Sequence, residues 1–471
     1  MADPVPPNPY HHDYGDDVAA APFAGRADAF ARLYRHLARS DRVNAMCILG
    51  QRHIGKTALL HAARAVFADS HLGVYVSLRE NPVDDLTDWV LLLAQSATAA
   101  LIERGYTVHR LSALQPPAEN PFDWFTTTFL PALIGALRNT RRLLWLIDDG
   151  HEALAAVRMG KLPANLFAHM HAMIAEVAPI DMVIALDAAY EDDLPEFAPL
   201  LQSIDVIRLS HLLPADSAWV LNEPVRDLYE VPEETVTAVH AAAGGAPGLI
   251  QQFGYLMFRK WSINRVHTEM TPADVRAMIA TVYAYGERDF VELWRGLTAE
   301  ERLVLTAVSS MTYVDPLAAI TASRIEAWLI ETDFPLDLVA IHAALRGLDY
   351  RHAITTGADG VRVNGEILQL WLIEHARLGS RMAGDGNRLQ QREQDRRARV
   401  DVALRLANRG RPNPVANRRN SNRLIIAFGL ALLISLGVLM ASALNTPPPL
   451  PNAPQAPTAT LILNTPPAPN G

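Results

Sequence analysis

Residues 50–57 read Gly50-Gln51-Arg52-His53-Ile54-Gly55-Lys56-Thr57 and match G-x-x-x-x-G-K-[ST] at every position. Before them runs Val43–Leu49, a short apolar stretch suited to a buried parallel strand. After them Ala58–Arg64 reads as a helix. Strand, Gly-rich loop and helix in that order call for a parallel α/β sheet. The two glycines let the loop wrap a phosphate chain closely enough for backbone N–H groups to donate to it. The candidate nucleotide contacts are therefore Gly50, Gln51, Arg52, His53, Ile54, Gly55, Lys56, Thr57 and Ala58. The helix starting near Lys56 points its positive end at the same phosphates. Lys56 adds a mobile charge for the β/γ-phosphates, and the Thr57 hydroxyl can sit on Mg²⁺. A chance Gly-rich turn is the alternative, and the flanking strand and helix argue against it.

A second motif lies about ninety residues on. Leu143-Leu144-Trp145-Leu146-Ile147-Asp148-Asp149 is an apolar strand ending in two acids. That is how an aspartate reaches Mg²⁺ at the carboxyl edge of a parallel sheet. Asp148 is the candidate metal ligand, acting through its waters, and Asp149 the group that orients or deprotonates an attacking water. Two acids merely solvating a strand end is the alternative. Gly73–Leu78, Met182–Leu186 and Asp205–Leu209 supply further strands, with helices expected at Val83–Glu103, Phe122–Arg138 and Ala164–Val177. A polar group ending the fourth strand could watch the γ-phosphate. Here it is Asp187, an anion that repels phosphate, so no sensing role is expected of it. Helices follow at Val231–Ala243 and Leu249–Trp261, broken by Gly244-Gly245-Ala246-Pro247-Gly248.

Charge divides the chain unevenly. Thirteen arginines against four acids between Arg377 and Arg423 give +9, so the −9 of the whole chain leaves −18 for the residues before Arg377. An acidic body is a poor partner for phosphate backbones, and nucleic acid is not expected among the partners. The single cysteine, Cys47, excludes an internal disulfide and suits a reducing compartment. The N-terminus is Pro-rich and acidic with no apolar core, so no signal peptide is expected. His11, His12 and Asp13 have no companion ligand cluster and read as a solvated loop.

Leu424–Leu444 holds 21 residues without a charge, enough to cross a bilayer. Arg418, Arg419 and Arg423 on one side place the body in the cytoplasm and the last 27 residues, with nine prolines, outside. The Arg-rich stretch before the span reads as a tether drawn to anionic lipid headgroups, with a solvated spacer as the alternative.

Taken together, Asn8-Pro9-Tyr10, Phe23-x-Gly25-Arg26, the P-loop, the double-acid strand and Gly245-x-Pro247 resemble the STAND ATPases. These are signalling relatives of the AAA+ proteins and of the archaeal origin-recognition ATPases, and the resemblance spans about residues 8–377. It implies that Arg26 and Pro247 lie on the nucleotide side. It also implies a winged-helix domain. Thr298-Ala299-Glu300-Glu301 is a capping box, helices follow at Ser323–Ile330 and Leu336–Leu348, a hairpin turns at 357–360, and a helix spans Glu366–Arg377. The third helix offers Asp337, His342 and Arg346, too few basic groups for a DNA reader. Relatives often carry Met-His-Asp before the last helix; this chain has Val363-Asn364-Gly365.

The fold expected is thus an α/β P-loop NTPase with a parallel sheet core, helical lid, winged helix and one C-terminal transmembrane helix. Its divisions are leader 1–22, core 23–212, lid 213–296, winged helix 297–377, tether 378–423, span 424–444 and tail 445–471. The function expected is a membrane-anchored, Mg²⁺-dependent ATP switch with an unidentified protein partner and nucleotide-dependent self-association. A nucleic-acid-handling ATPase and a binding-only scaffold are the alternatives.

Overall fold

The computed structural model describes residues 5–10, 24–38, 44–112, 114–116, 119–137, 141–176, 180–201, 206–266, 268–315, 320–358 and 360–376. The chain divides into two units, Met1–Asn387 and Arg388–Gly471, and the second lies wholly outside the described residues. The tether, the uncharged segment and the Pro-rich tail expected at 378–471 therefore lie outside them, as do leader residues 11–23. Among the described residues, no helix is long and apolar enough to cross a membrane.

The core opens with α1 (Ala27–Leu37), β1 (Asn44–Gly50), α2 (Lys56–Val66), β2 (His71–Ser77) and α3 (Leu86–Glu103). It continues through α4 (His109–Ser112), α5 (Pro121–Trp124), α6 (Leu130–Ala136), β3 (Arg142–Asp148), α7 (His151–Arg158) and α8 (Leu166–Glu176). β4 (Ile180–Asp187), a 3₁₀ segment Ala188–Phe197, α9 (Ala198–Leu201) and β5 (Val206–Arg208) complete it. The five strands are parallel in the order β2-β3-β4-β1-β5. Parallel strands need crossovers, and these put helices on both faces. Side chains accordingly alternate between two cores. Cys47, Leu49, Trp145, Ile147, Met182 and Ile184 pack with Trp89, Leu93 and Met170 on one face. Met46, Ile48, Leu144, Leu146, Val183 and Ala185 pack with Leu33, Leu59 and Leu60 on the other. Burial holds the Cys47 thiol up at about 12, so it is a packed, unreactive group. At the amino ends, fully buried Asp181 takes both Arg142 nitrogens at 2.6 and 2.9 Å and His71 Nε2 at 3.1 Å, joining β2, β3 and β4.

The helix expected over Phe122–Arg138 is interrupted by a π-helical turn at Phe125–Phe129. Pro131, just past this turn, has no N–H for the helix ladder, and within the turn the hydroxyls of Thr126 and Thr127 donate to the Phe122 and Asp123 carbonyls.

Beyond the core come α10 (Pro214–Asn222), α11 (Glu233–Ala243), α12 (Pro247–Ile263) and the 25-residue α13 (Pro272–Gly296). Tyr10 of the leader is sealed onto this helical layer; its hydroxyl donates to the Leu221 carbonyl at 2.7 Å and its ring lies against Gly254. Last come α14 (Ala299–Val314), α15 (Ala322–Glu331), α16 (Leu338–Tyr350), the antiparallel hairpin β6 (Ile354–Gly357) and β7 (Gly360–Val363), and α17 (Glu366–His375). Thr298 and Glu301 cap α14 reciprocally at 3.1 and 2.8 Å.

Candidate nucleotide-binding site

Strand register assembles the site. Gly50 pairs with Asp187 across β1 and β4, and Ser77 with Asp148 across β2 and β3. The carboxyl ends of β1, β2, β3 and β4 therefore form one row, the edge where open α/β sheets bind ligands. The P-loop leaves that edge and enters α2 through Gly55, whose φ of +98° is left-handed backbone that favours glycine. Ala58 follows in the first turn of α2, so the loop amides stand at a helix N-terminus suited to phosphate.

Lys56 is buried, with its ammonium donating to the Gly50 and Gln51 carbonyls at 2.8 Å each and standing 3.5 Å from Asp187 Oδ2. Burial pulls its pKa below the ordinary lysine value, against the opposing pull of Asp187, Asp148 and Asp149. The Thr57 hydroxyl donates to Asp148 Oδ2 at 2.5 Å, and the Tyr75 hydroxyl reaches the same oxygen at 3.1 Å. One hydroxyl and one carboxylate converging this closely fit Mg²⁺, which binds few protein oxygens and keeps several waters. Asp149 sits one residue on at a left-handed φ of +52°, and its Oδ1 accepts from Arg79 at 2.9 Å. Gly150 makes this turn possible, because a Cβ there would lie 2.3 Å from Ile184. Burial, then Asp148, raises the Asp149 pKa, and Arg79 and Lys56 oppose them. A carboxylate shifted upward beside a metal ligand suits a general base.

Helices outside the sheet close the other side. A cleft is lined by Gln51, His53, His211, Pro247, His352 and Asn364, among others. Three consecutive P-loop side chains reach across it. Gln51 Nε2 donates to the Arg351 carbonyl, Arg52 pairs with Glu292 at 2.9 Å, and His53 Nδ1 meets Asp289 Oδ2 at 2.7 Å. From the far side, Tyr350 meets Arg208 at 3.0 Å and the His352 ring stacks on His211 at 4.6 Å. Asn364 Nδ2 lies within reach of the Gly244 carbonyl at 3.0 Å and of His211 Nδ1 at 3.2 Å. The backbones of Gly244 and Asn364 approach so closely that a Cβ on Gly244 would lie 2.6 Å from the Asn364 carbonyl oxygen.

The structure thus brings Gly50–Ala58, Asp148 and Asp149 together at one edge. Pro247 lines the adjoining cleft as the first residue of α12. Arg26, expected on the nucleotide side, lies against the P-loop. Its guanidinium donates to the Ile54 and Ser210 carbonyls at 2.8 Å each, so it braces the loop against the chain leaving β5. Asp187, of which no sensing role is expected, faces the Lys56 ammonium. Arg79, Tyr75, His211, His352 and Asn364 are not legible as site residues in the sequence, since each is defined by a partner 70 or more residues away.

Strand order, P-loop and paired acids at the sheet edge define an α/β P-loop fold. The fold is shared with the Walker-type ATPase PABY2304 of Pyrococcus abyssi, at a TM-score of 0.51 and 16% identity, covering 74% of this chain and 96% of that one. Lower scores link it to the ORC2 protein of Aeropyrum pernix in ADPNP–ADP complexes (0.49, 14% identity, 83% and 98% covered) and to Cdc6p of Pyrobaculum aerophilum (0.40, 15%, 77% and 99%). No protein-family model and no curated protein matches the chain.

Proposed function

We propose that this chain is a membrane-anchored, ATP-hydrolysing switch of the STAND type. One observation carries the reading. Gln51, Arg52 and His53, adjacent on the phosphate-binding loop, bond respectively to the Arg351 carbonyl that follows α16 and to two acids of α13. Any ligand that reorders the loop must therefore bias the placement of both. Lys56 supplies charge to the β/γ-phosphates, Thr57 and Asp148 hold Mg²⁺, and Asp149 orients the attacking water and takes its proton. The unit at 297–377 acts as a winged helix that reports the state of the site to a protein partner or a second copy. Leu424–Leu444 anchors the chain with the ATPase in the cytoplasm, aided by the Arg-rich tether at anionic headgroups.

A second reading, a nucleic-acid-handling ATPase, draws on His342, Arg346 and Arg362, which are exposed on α16 and the hairpin. The acidic charge of the body opposes it.

The coupling is tested with Asp289→Ala combined with Glu292→Ala, which leaves every P-loop side chain in place. The His53–Asp289 contact is the better buried of the two and contributes about 1.5–3 kcal/mol if charge-assisted; the Arg52–Glu292 pair is more exposed and contributes little. Release of a fluorescent diphosphate should quicken by about tenfold or more. Unchanged release would refute the coupling.

A further inference from the structure

Asp187 ends β4 in the middle of the row of strand ends, as the register partner of Gly50. Its two oxygens have separate tasks. Oδ1 accepts from the Ala189 N–H at 3.0 Å and caps the 3₁₀ segment, while Oδ2 faces the Lys56 ammonium at 3.5 Å. The other two acids of the edge are matched elsewhere, Asp148 by the Thr57 and Tyr75 hydroxyls and Asp149 by Arg79. Lys56 is thus shared between loop carbonyls and one carboxylate that has it as counter-charge.

We propose that Asp187 sets which nucleotide the site retains, selecting a nucleoside diphosphate over a nucleoside triphosphate; this rests on the P-loop's being a nucleotide site. A triphosphate brings additional negative charge to the strand ends, and the Asp187 carboxylate stands there already. Its terminal phosphate must also compete with Asp187 for the same buried ammonium. A diphosphate carries less charge and leaves more of the Lys56–Asp187 pair intact. Two like charges about 8 Å apart at an effective dielectric of about 20 change a binding constant by on the order of tenfold or more. Mg²⁺ at Thr57 and Asp148 offsets part of this repulsion, so the preference should be larger without the metal. In a switch, such a residue makes the diphosphate form the resting one and leaves the triphosphate form dependent on metal or on a partner.

The experiment is calorimetric titration of the full chain in mild detergent with ADP and with the non-hydrolysable triphosphate ADPNP, each with Mg²⁺ and with chelator. Asp187→Asn keeps an oxygen acceptor for the Ala189 N–H and removes the charge; Asp187→Ser does the same with a smaller group. The wild-type chain should hold ADP more tightly than ADPNP. Either variant should raise ADPNP affinity by on the order of tenfold while changing ADP affinity less, which also reports that the variant is folded. A wild-type chain that prefers ADPNP overturns the proposal without any variant, as does an unchanged ADP/ADPNP ratio in a variant that binds ADP. Binding of neither nucleotide to the wild-type chain removes the nucleotide site and the proposal with it.

Discussion

Acid should loosen the joint around His211, by an amount the structure allows one to work out. The imidazole is stacked on His352 and held by the Gly244 carbonyl at 2.7 Å. Burial, then the neighbouring His352, pushes its pKa down to about 3, with Arg26 and His240 adding to the effect. A histidine with a depressed folded pKa is neutral in the closed joint and binds a proton once the joint opens. Between its ordinary value of about 6.5 and the depressed one, the open form therefore binds more protons. Stability of the closed form rises with pH through that window and is lost as pH falls below about 6.5. Going from pH 7.5 to 5.5 should cost about 1.4 kcal/mol from this residue alone, whatever the folded value, provided it lies well under 5.5. The Leu212 amide, which donates to the Gly245 carbonyl at 2.8 Å, reports the joint by hydrogen exchange. After correction for intrinsic rates, its opening constant should increase about tenfold between those pH values. His211→Phe keeps an aromatic ring against His352 and has no proton to bind. Its amide should open more readily at pH 7.5 and should lack this part of the pH dependence. His53, His240 and His352 are depressed too, so the difference between wild type and variant is the quantity to read. Equal pH dependence in both would refute the argument.

Two further outcomes bear on the site and the anchor. Lys56→Ala should abolish nucleotide binding in an equilibrium assay, whereas Asp149→Asn should spare binding and slow turnover by about 10²–10⁴-fold, because Asp148 and Thr57 still hold the metal; identical behaviour of the two would show that the acids are not divided as proposed. The full chain should stay in the membrane pellet through a high-salt wash while a chain ending at Arg377 is soluble, since an inserted helix resists screening and an electrostatic tether does not.

The parts of this protein decided by neighbouring residues were legible in the chain itself. A loop that must turn tightly and then start a helix needs its glycines and lysine at set spacings, and Gly50–Thr57 satisfies that locally. An apolar strand ending in Asp148-Asp149 carries its own instruction, because strands buried on both faces must be apolar up to the edge where they meet solvent. Pairing was another matter. Asp187 reads in the chain as an anion that repels phosphate; only the register of β1 against β4 sets it beside Lys56, where the same charge is also a counter-ion. The resemblance places Arg26 on the nucleotide side, and only the fold shows the partners of its guanidinium, the Ile54 and Ser210 carbonyls. The contacts that join the P-loop to α13 and to the turn at Tyr350–His352 span some 240 to 300 residues. No local pattern encodes such contacts, because a hydrogen bond has no sequence period of its own and arises only where folded surfaces meet. Local stereochemistry and hydrophobic pattern thus determined that there is a phosphate loop on a parallel sheet, and tertiary packing alone decided what grips it.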